Sequence, residues 1–126
     1  MRINITAGEC LNAILQELHP GEVFVPFNEA MIKGSCGNAL FSPAFMKERA
    51  RTHGVSLAEY RKKLAPFIDV LHKLSDYDEI VLWFGQEPFC TANKETVLAA
   101  LVQKEYHGKI TIHTVDEGTG AILSRE

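Results

Sequence analysis

Asp78-Glu79-Ile80-Val81-Leu82-Trp83-Phe84-Gly85-Gln86-Glu87-Pro88-Phe89 decides the fold. An acidic pair is followed by an apolar run that does not alternate with polar residues and that stops at a glycine. Such a run is a strand buried on both faces, as in the middle of a parallel sheet. Gly85 ends it. Pro88 stands where the first turn of a helix tolerates a residue without an N–H. Strand, short polar loop and helix start therefore follow one another, and in open α/β folds that loop is where ligands bind.

Upstream, residues 56–74 carry Tyr60, Leu64, Phe67, Ile68, Leu71 and Leu74 at helical spacing. Ser56-Leu57-Ala58-Glu59 is a capping box at the start of that helix. Pro66 falls inside the pattern and is expected to kink or split it. Before it, Ser42-Pro43 opens another helix that ends near His53-Gly54. At the amino end, Arg2 to Thr6 alternates as a first strand. Leu11, Ile14, Leu15 and Leu18 then mark a helix over 9–19, Pro20-Gly21 stops it, and Glu22 to Phe27 reads as a second strand. Strand, helix, strand in this order is a βαβ unit with parallel strands and a right-handed crossover. Residues 28–42 have no period and form a long loop, a candidate lid.

Downstream, Pro88 to Tyr106 is expected to be a helix, with His107-Gly108 as its stop. Lys109 to Val115 is a fourth strand, and Asp116-Glu117-Gly118-Thr119-Gly120 a turn. Ala121-Ile122-Leu123 is either a short edge strand or part of a tail over 116–126. The whole chain, 1–126, reads as one α/β domain: a three-layer Rossmann-like or flavodoxin-like fold with a mainly parallel four-stranded sheet in the order 2-1-3-4 and room for a fifth edge strand.

A chain of 126 residues is long enough to bury a core without disulfides or metal. The net charge of −3 speaks against broad binding to nucleic acid or to an anionic membrane. No apolar run reaches a transmembrane length, and the amino terminus does not read as a signal peptide. Cys10, Cys36 and Cys90 are odd in number and widely spaced, with neither zinc spacing nor a disulfide framework, which suits reduced thiols in a cytoplasm.

The series Gly8-Glu9-Cys10, an acidic and glycine-containing loop after the second strand, an Arg-bearing helix, and Glu79-Ile80-Val81-Leu82-Trp83-Phe84 followed by Glu87-x-Phe89 resembles an uncharacterised bacterial family, the domain of unknown function 1835. There the pattern runs roughly His-x-Val-x-Gly-Asp-Ser and, later, Glu-Ile-Val-Leu-Trp-Phe-x-x-Asp-x-Phe-Asp-Gln. The likeness covers roughly positions 1 to 105, and the tryptophan strand is its most specific part. This chain departs from the pattern at Glu9-Cys10 (Asp-Ser there), Gly34-Ser35 (Gly-Pro) and Cys90-Thr91 (Asp-Gln). The resemblance implies a Rossmann-like fold and a cytoplasmic bacterial setting, and no activity or cofactor.

With the order 2-1-3-4, strands one and three are neighbours whose helices leave on opposite faces, a topological switch point. The candidate ligand-binding residues are Gly8, Glu9 and Cys10 after strand one, Glu29 after strand two, and Gly85, Gln86 and Glu87 after strand three. Arg49, with Lys47 and Arg51 on the same helix, could clamp an anion over the crevice, against the plainer alternative of a solvated helix face. Helix N-termini suit anions, yet no Gly-x-Gly-x-x-Gly and no Walker pattern is present. Cys10 and Cys90 fall in first helical turns, which depress thiol pKa values, although buried cysteines are commonly packing residues. The histidines show no ligand spacing, no catalytic set can be assembled, and no cofactor is indicated.

Two readings of different class follow. In the first, a small anionic ligand bearing phosphate or carboxylate binds at the loops after strands one and three, with Glu9, Gln86, Glu87 and Arg49 converging on one cavity; any catalysis there would use carboxylate and metal chemistry. In the second, a non-catalytic regulatory domain dimerises or docks through an exposed apolar patch of Met31, Ile32, Phe41, Phe45 and Met46.

Overall fold

The computed structural model describes residues 1–31 and 39–126. The glycine-rich centre of the expected lid, including Ile32, Gly34, Ser35 and Cys36, lies outside the described residues. The elements are β1 (Arg2–Thr6), α1 (Glu9–Leu18), β2 (Phe24–Pro26), α2 (Pro43–His53), α3 (Leu57–His72), a 3₁₀ turn (Leu74–Asp76), β3 (Glu79–Phe84), α4 (Pro88–Gln103), β4 (Lys109–Val115) and β5 (Ile122–Arg125).

The sheet order is β2-β1-β3-β4-β5. The first four strands are parallel, in the order expected, with Ile3 opposite Ile80, Ile5 opposite Leu82 and Leu82 opposite Ile112. Residues 122–125 form an antiparallel fifth strand rather than a tail, with His113 opposite Arg125. Asp116 builds the intervening turn by accepting from the Gly118 and Thr119 N–H groups at 2.9 and 3.0 Å. β3 is central, and Ile80 to Phe84 are all buried, as an apolar run without alternation requires.

Thr6 donates to Asn12 Oδ1 at 2.9 Å, which places α1 on the sheet face that carries Asn4 and Thr6. α3 lies over the opposite face, beside Ile3 and Val25. Among the described residues no helix is long and apolar enough to cross a membrane.

The helix starts follow the sequence closely. Ser42 and Ser56 each accept from the N–H three residues on, at 3.2 and 3.1 Å. In the second cap, Glu59 takes the Ser56 hydroxyl (3.2 Å) rather than reaching back to a backbone N–H, so half of the expected capping box forms. Ser56→Ala is expected to cost about 1 kcal/mol, read as a lower denaturant midpoint at unchanged slope, and Ser56→Asp to cost little.

Two helices differ from expectation. α3 runs unbroken through Pro66. The proline removes one N–H opposite Lys62, an exposed residue, while Tyr60, Leu64, Phe67 and Leu71 stay anchored in the core. α4 ends at Gln103, ahead of the expected stop, because Glu105 takes a left-handed conformation (φ 56°) and closes a Schellman motif, Tyr106 N–H bonding Leu101 O at 3.0 Å. Gly108 instead makes room for a ring, since a Cβ there would collide with the Tyr106 hydroxyl.

The proposed docking patch is corrected in part. Phe41 and Phe45 are buried in the core, where Phe27, Phe41, Phe45 and Phe67 pack ring against ring. Met31 and Met46 are half-buried against the same cluster.

Candidate functional site

The site grows out of the three residues that leave β2. Phe27 extends the ladder, its N–H bonding Thr6 O at 2.9 Å, and its ring is fully buried. Asn28 turns outward and donates to Glu9 Oε1 (2.8 Å) and Lys63 O (3.3 Å), tying the start of α1 to α3. Glu29 turns inward. Asn93 of α4, itself buried, clamps the backbone at this point: its amide donates to Glu29 O at 2.6 Å and its oxygen accepts from Met31 N–H at 2.9 Å. In effect Asn93 stands in for a neighbouring strand, so the chain past β2 satisfies its polar groups without one.

The Glu29 carboxylate meets Arg49 of α2 in a two-point contact, Nε to Oε2 and Nη2 to Oε1, both 3.1 Å. Arg49 Nη2 also donates to Ala30 O at 3.0 Å. His53, one helical turn after Arg49, directs Nε2 at Glu29 Oε1, and the Tyr60 hydroxyl of α3 donates to Oε2. The Ala30 N–H closes on Oε1 at 2.7 Å. His53 Nε2 also lies 3.1 Å from Arg49 Nη2. The two protons of that Nη2 already point at Glu29 and Ala30, so the His53 proton sits on Nε2 and is donated to the carboxylate.

Both side chains of the central pair have zero exposure. Burial is the largest single influence on Glu29 and opposes its ionisation. Arg49, then Tyr60, the Ala30 N–H and His53, together outweigh it and hold the carboxyl below the usual carboxylate range. Tyr60 responds in the opposite sense: burial first and the adjacent carboxylate second push its phenol far above the ordinary value, so it remains a hydroxyl donor.

Above this network lies a cavity of about 420 Å³, edged by Asn28, Glu29, His53, Tyr60, Lys63 and Phe89. A second hollow of about 680 Å³ adjoins it, sharing Asn28 and Lys63 and adding Glu9, Glu59 and Lys62. Both lie at the carboxyl end of the sheet, where α/β folds bind ligands.

The residues singled out from the sequence separate here. Glu29 and Glu9 edge these cavities. Arg49 does clamp an anion at two points, but the anion is the chain's own Glu29; Arg49 is neither over an open crevice nor on a solvated face. Lys47 and Arg51 are exposed. Gly8 precedes α1 as its N-cap and Cys10 is exposed in the first turn, and neither lines the two cavities. Gln86 and Glu87 are exposed and line neither cavity, so the expected convergence of Glu9, Gln86, Glu87 and Arg49 does not form. The reason lies after β3. A Cβ on Gly85 would meet Glu117 Oε2 at 2.7 Å, so a carboxylate from the β4–β5 turn already fills the place above that strand. The same Glu117, added to burial, pushes the Cys90 thiol up to about 11, which leaves it protonated at neutral pH. Among the described residues no group of His, Cys, Asp and Glu is arranged to hold a metal.

Sequence reasoning missed Asn28, His53, Tyr60, Lys63 and Asn93. One signal was available: Phe45, Arg49 and His53 recur at four-residue spacing, so Arg49 shares a helix face with an aromatic core residue. An arginine on such a face needs a buried acidic partner.

No family model, no curated protein and no solved structure matches the chain. Fold and site define a class by themselves: a Rossmann-like α/β domain with a polar cavity at the carboxyl ends of β1 and β2.

Proposed function

We propose that the protein binds a small organic anion, bearing phosphate or carboxylate, in the cavity above Glu29, with Lys63 as its cationic contact and His53 and Asn28 in the cavity wall. The observation that supports this reading is the distribution of charge. Glu29 is neutralised from within by Arg49, while Lys63 remains on the rim of the cavity above it; on the adjoining hollow Lys62 and Lys63 are balanced by Glu9 and Glu59. A lysine over a compensated acid favours an anion in the cavity above Glu29, and Val55 and Phe89 give its organic body an apolar wall. The likeness of the tryptophan strand to the domain of unknown function 1835 is part of the same proposal and names no ligand.

Thermal unfolding against nucleotides, phosphorylated metabolites and organic acids tests it. A ligand at a hundred times its dissociation constant should add ~2.7 kcal/mol, a shift of several degrees for a domain of this size. The shift is expected to vanish in Lys63→Gln, an exposed position whose replacement leaves the core intact. A flat panel, or a shift that survives Lys63→Gln undiminished, would sink the reading.

A further inference from the structure

A separate hollow lies on the α1 face of the sheet and shares no residue with the Glu29 cavity. α1 covers the part of this face around Thr6. Beside α1, across β1, β3 and β4, a space of about 340 Å³ remains, floored by Asn4, Trp83 and His113 and rimmed by Arg2, Glu22 and Arg125.

Most polar groups around it are already used. Trp83 Nε1–H donates to Asn4 Oδ1 at 2.9 Å, and the Asn4 amide donates to Glu22 and to Val23 O. Arg2 pairs with Glu22 at 2.9 Å and approaches Glu79 at 3.6 Å. Besides the half-buried His19 ring, which makes ring contacts and no side-chain hydrogen bond among the described residues, two groups are not used. The first is His113, only 8% exposed, whose Nδ1 is buried without a hydrogen-bond partner. A proton there would be a buried donor with nothing to accept it, so the neutral ring carries its proton on Nε2. Nε2 also makes no hydrogen bond among the described residues and is the nitrogen left to serve the hollow. Burial first, and then the neighbouring Arg125 charge, lower the His113 pKa and favour that neutral form. The second is Arg125, exposed on β5, which forms no hydrogen bond or ion pair among the described residues.

The walls between these two donors are largely rings. His113 stands edge-on to Trp83 at 4.2 Å, and His19 and Phe24 tilt against the same indole at 5.3 and 5.9 Å. Ile122 adds an exposed aliphatic edge beside Arg125. A neutral donor and a cation without a partner among the described residues, set across a ring-lined space of about 340 Å³ with room for a single ring, match an anion carried on a flat apolar body.

We propose that this hollow is a second ligand site that takes a small aromatic carboxylate, its anionic group meeting His113 Nε2–H and the Arg125 guanidinium and its ring lying against Trp83 and Ile122.

Trp83 is the only tryptophan in the chain, so its emission reports on this site alone. Benzoate and phenylacetate would be titrated against that emission, with cyclohexanecarboxylate, benzyl alcohol and inorganic phosphate as controls. The expected result is a saturable change with the aromatic acids, weakened roughly tenfold or more in Arg125→Gln and in His113→Gln and unchanged in Lys63→Gln. That last variant separates this site from the cavity above Glu29, and Arg125→Gln decides alone if His113→Gln fails to fold. Linear, unsaturable quenching, equal binding by phosphate or by cyclohexanecarboxylate, or undiminished affinity in Arg125→Gln would overturn the assignment. So would an emission shift that depends on protein concentration without ligand, because a second copy would then cover the hollow.

Discussion

Replacing Arg49 with methionine is expected to cost about 3–5 kcal/mol, the usual penalty for leaving one member of a buried ion pair without the other. Neither Arg49 nor Glu29 exposes any side-chain surface, so water cannot take the place of the lost guanidinium. For a chain of this length that is a fall in Tm of roughly 10 °C or more. The pH dependence gives a second, sharper signature. With Arg49 present the Glu29 value is lowered from its ordinary 4.5, so the pair's contribution is present above that value and is lost as the pH falls through the lower, folded-state one. Without Arg49, burial loses its main opponent and the folded-state value rises. A raised value reverses the sign: the variant gains stability on acidification and loses it as the pH increases. The gap between the two proteins should therefore narrow from pH 7 to pH 5 in urea unfolding. Adding Glu29→Gln to Arg49→Met should recover part of the loss, because a neutral amide costs less to bury than a lone carboxylate. A difference under about 1 kcal/mol at pH 7 would show that the pair does not carry this energy.

Phe67→Ala should be nearly as damaging, at about 3–5 kcal/mol. Phe67 is fully buried and is the hub of the ring cluster, edge-on to Phe27 at 4.7 Å and to Phe41 at 5.1 Å. Its removal forfeits the transferred area, leaves a void among stiff rings that cannot collapse easily, and ends two aromatic contacts. The loss reaches further than the core. Phe41 is held in a left-handed conformation (φ 59°), which costs about 1–3 kcal/mol for a bulky residue and persists only because its ring is packed. Phe27 leads directly into Asn28 and Glu29. Denaturant unfolding should thus show a lower midpoint, and ligand shifts at the Glu29 cavity should weaken along with it. Phe67→Leu should cost clearly less; equal losses for the two would point away from the void as the cause.

Much of the fold was legible in the sequence because it rests on local signals. The apolar run at 80–84 named the central strand, serines and prolines named the helix starts, and the βαβ order fixed which strands are neighbours. The site was legible only as a region. Glu29 and Arg49 were both candidates, but nothing local says that they face each other, since their meeting depends on how α2 returns over β2. Likewise, the loop after β3 looked open because Glu117, which fills it, arrives from residues more than thirty positions away. Pro66 looked like a break because the sequence shows the lost N–H and not the five buried side chains that hold α3 together. In each case the deciding term is tertiary.

β2 has a consequence for one edge of the sheet. It is an outer strand, only three residues long, and it ends in a proline. The Phe27 N–H points inward to β1. Nitrogens alternate in direction along a strand, so that of Pro26 points outward, where it has no hydrogen to offer. Within β2 the outward rim therefore presents the Phe24 N–H as its single donor, beside the Phe24 and Pro26 carbonyls, too little to template a strand from another molecule. Runaway stacking of chains through this side of the sheet is blocked by one residue, and any such growth has to start from β5, where every side chain is exposed and an arginine stands guard.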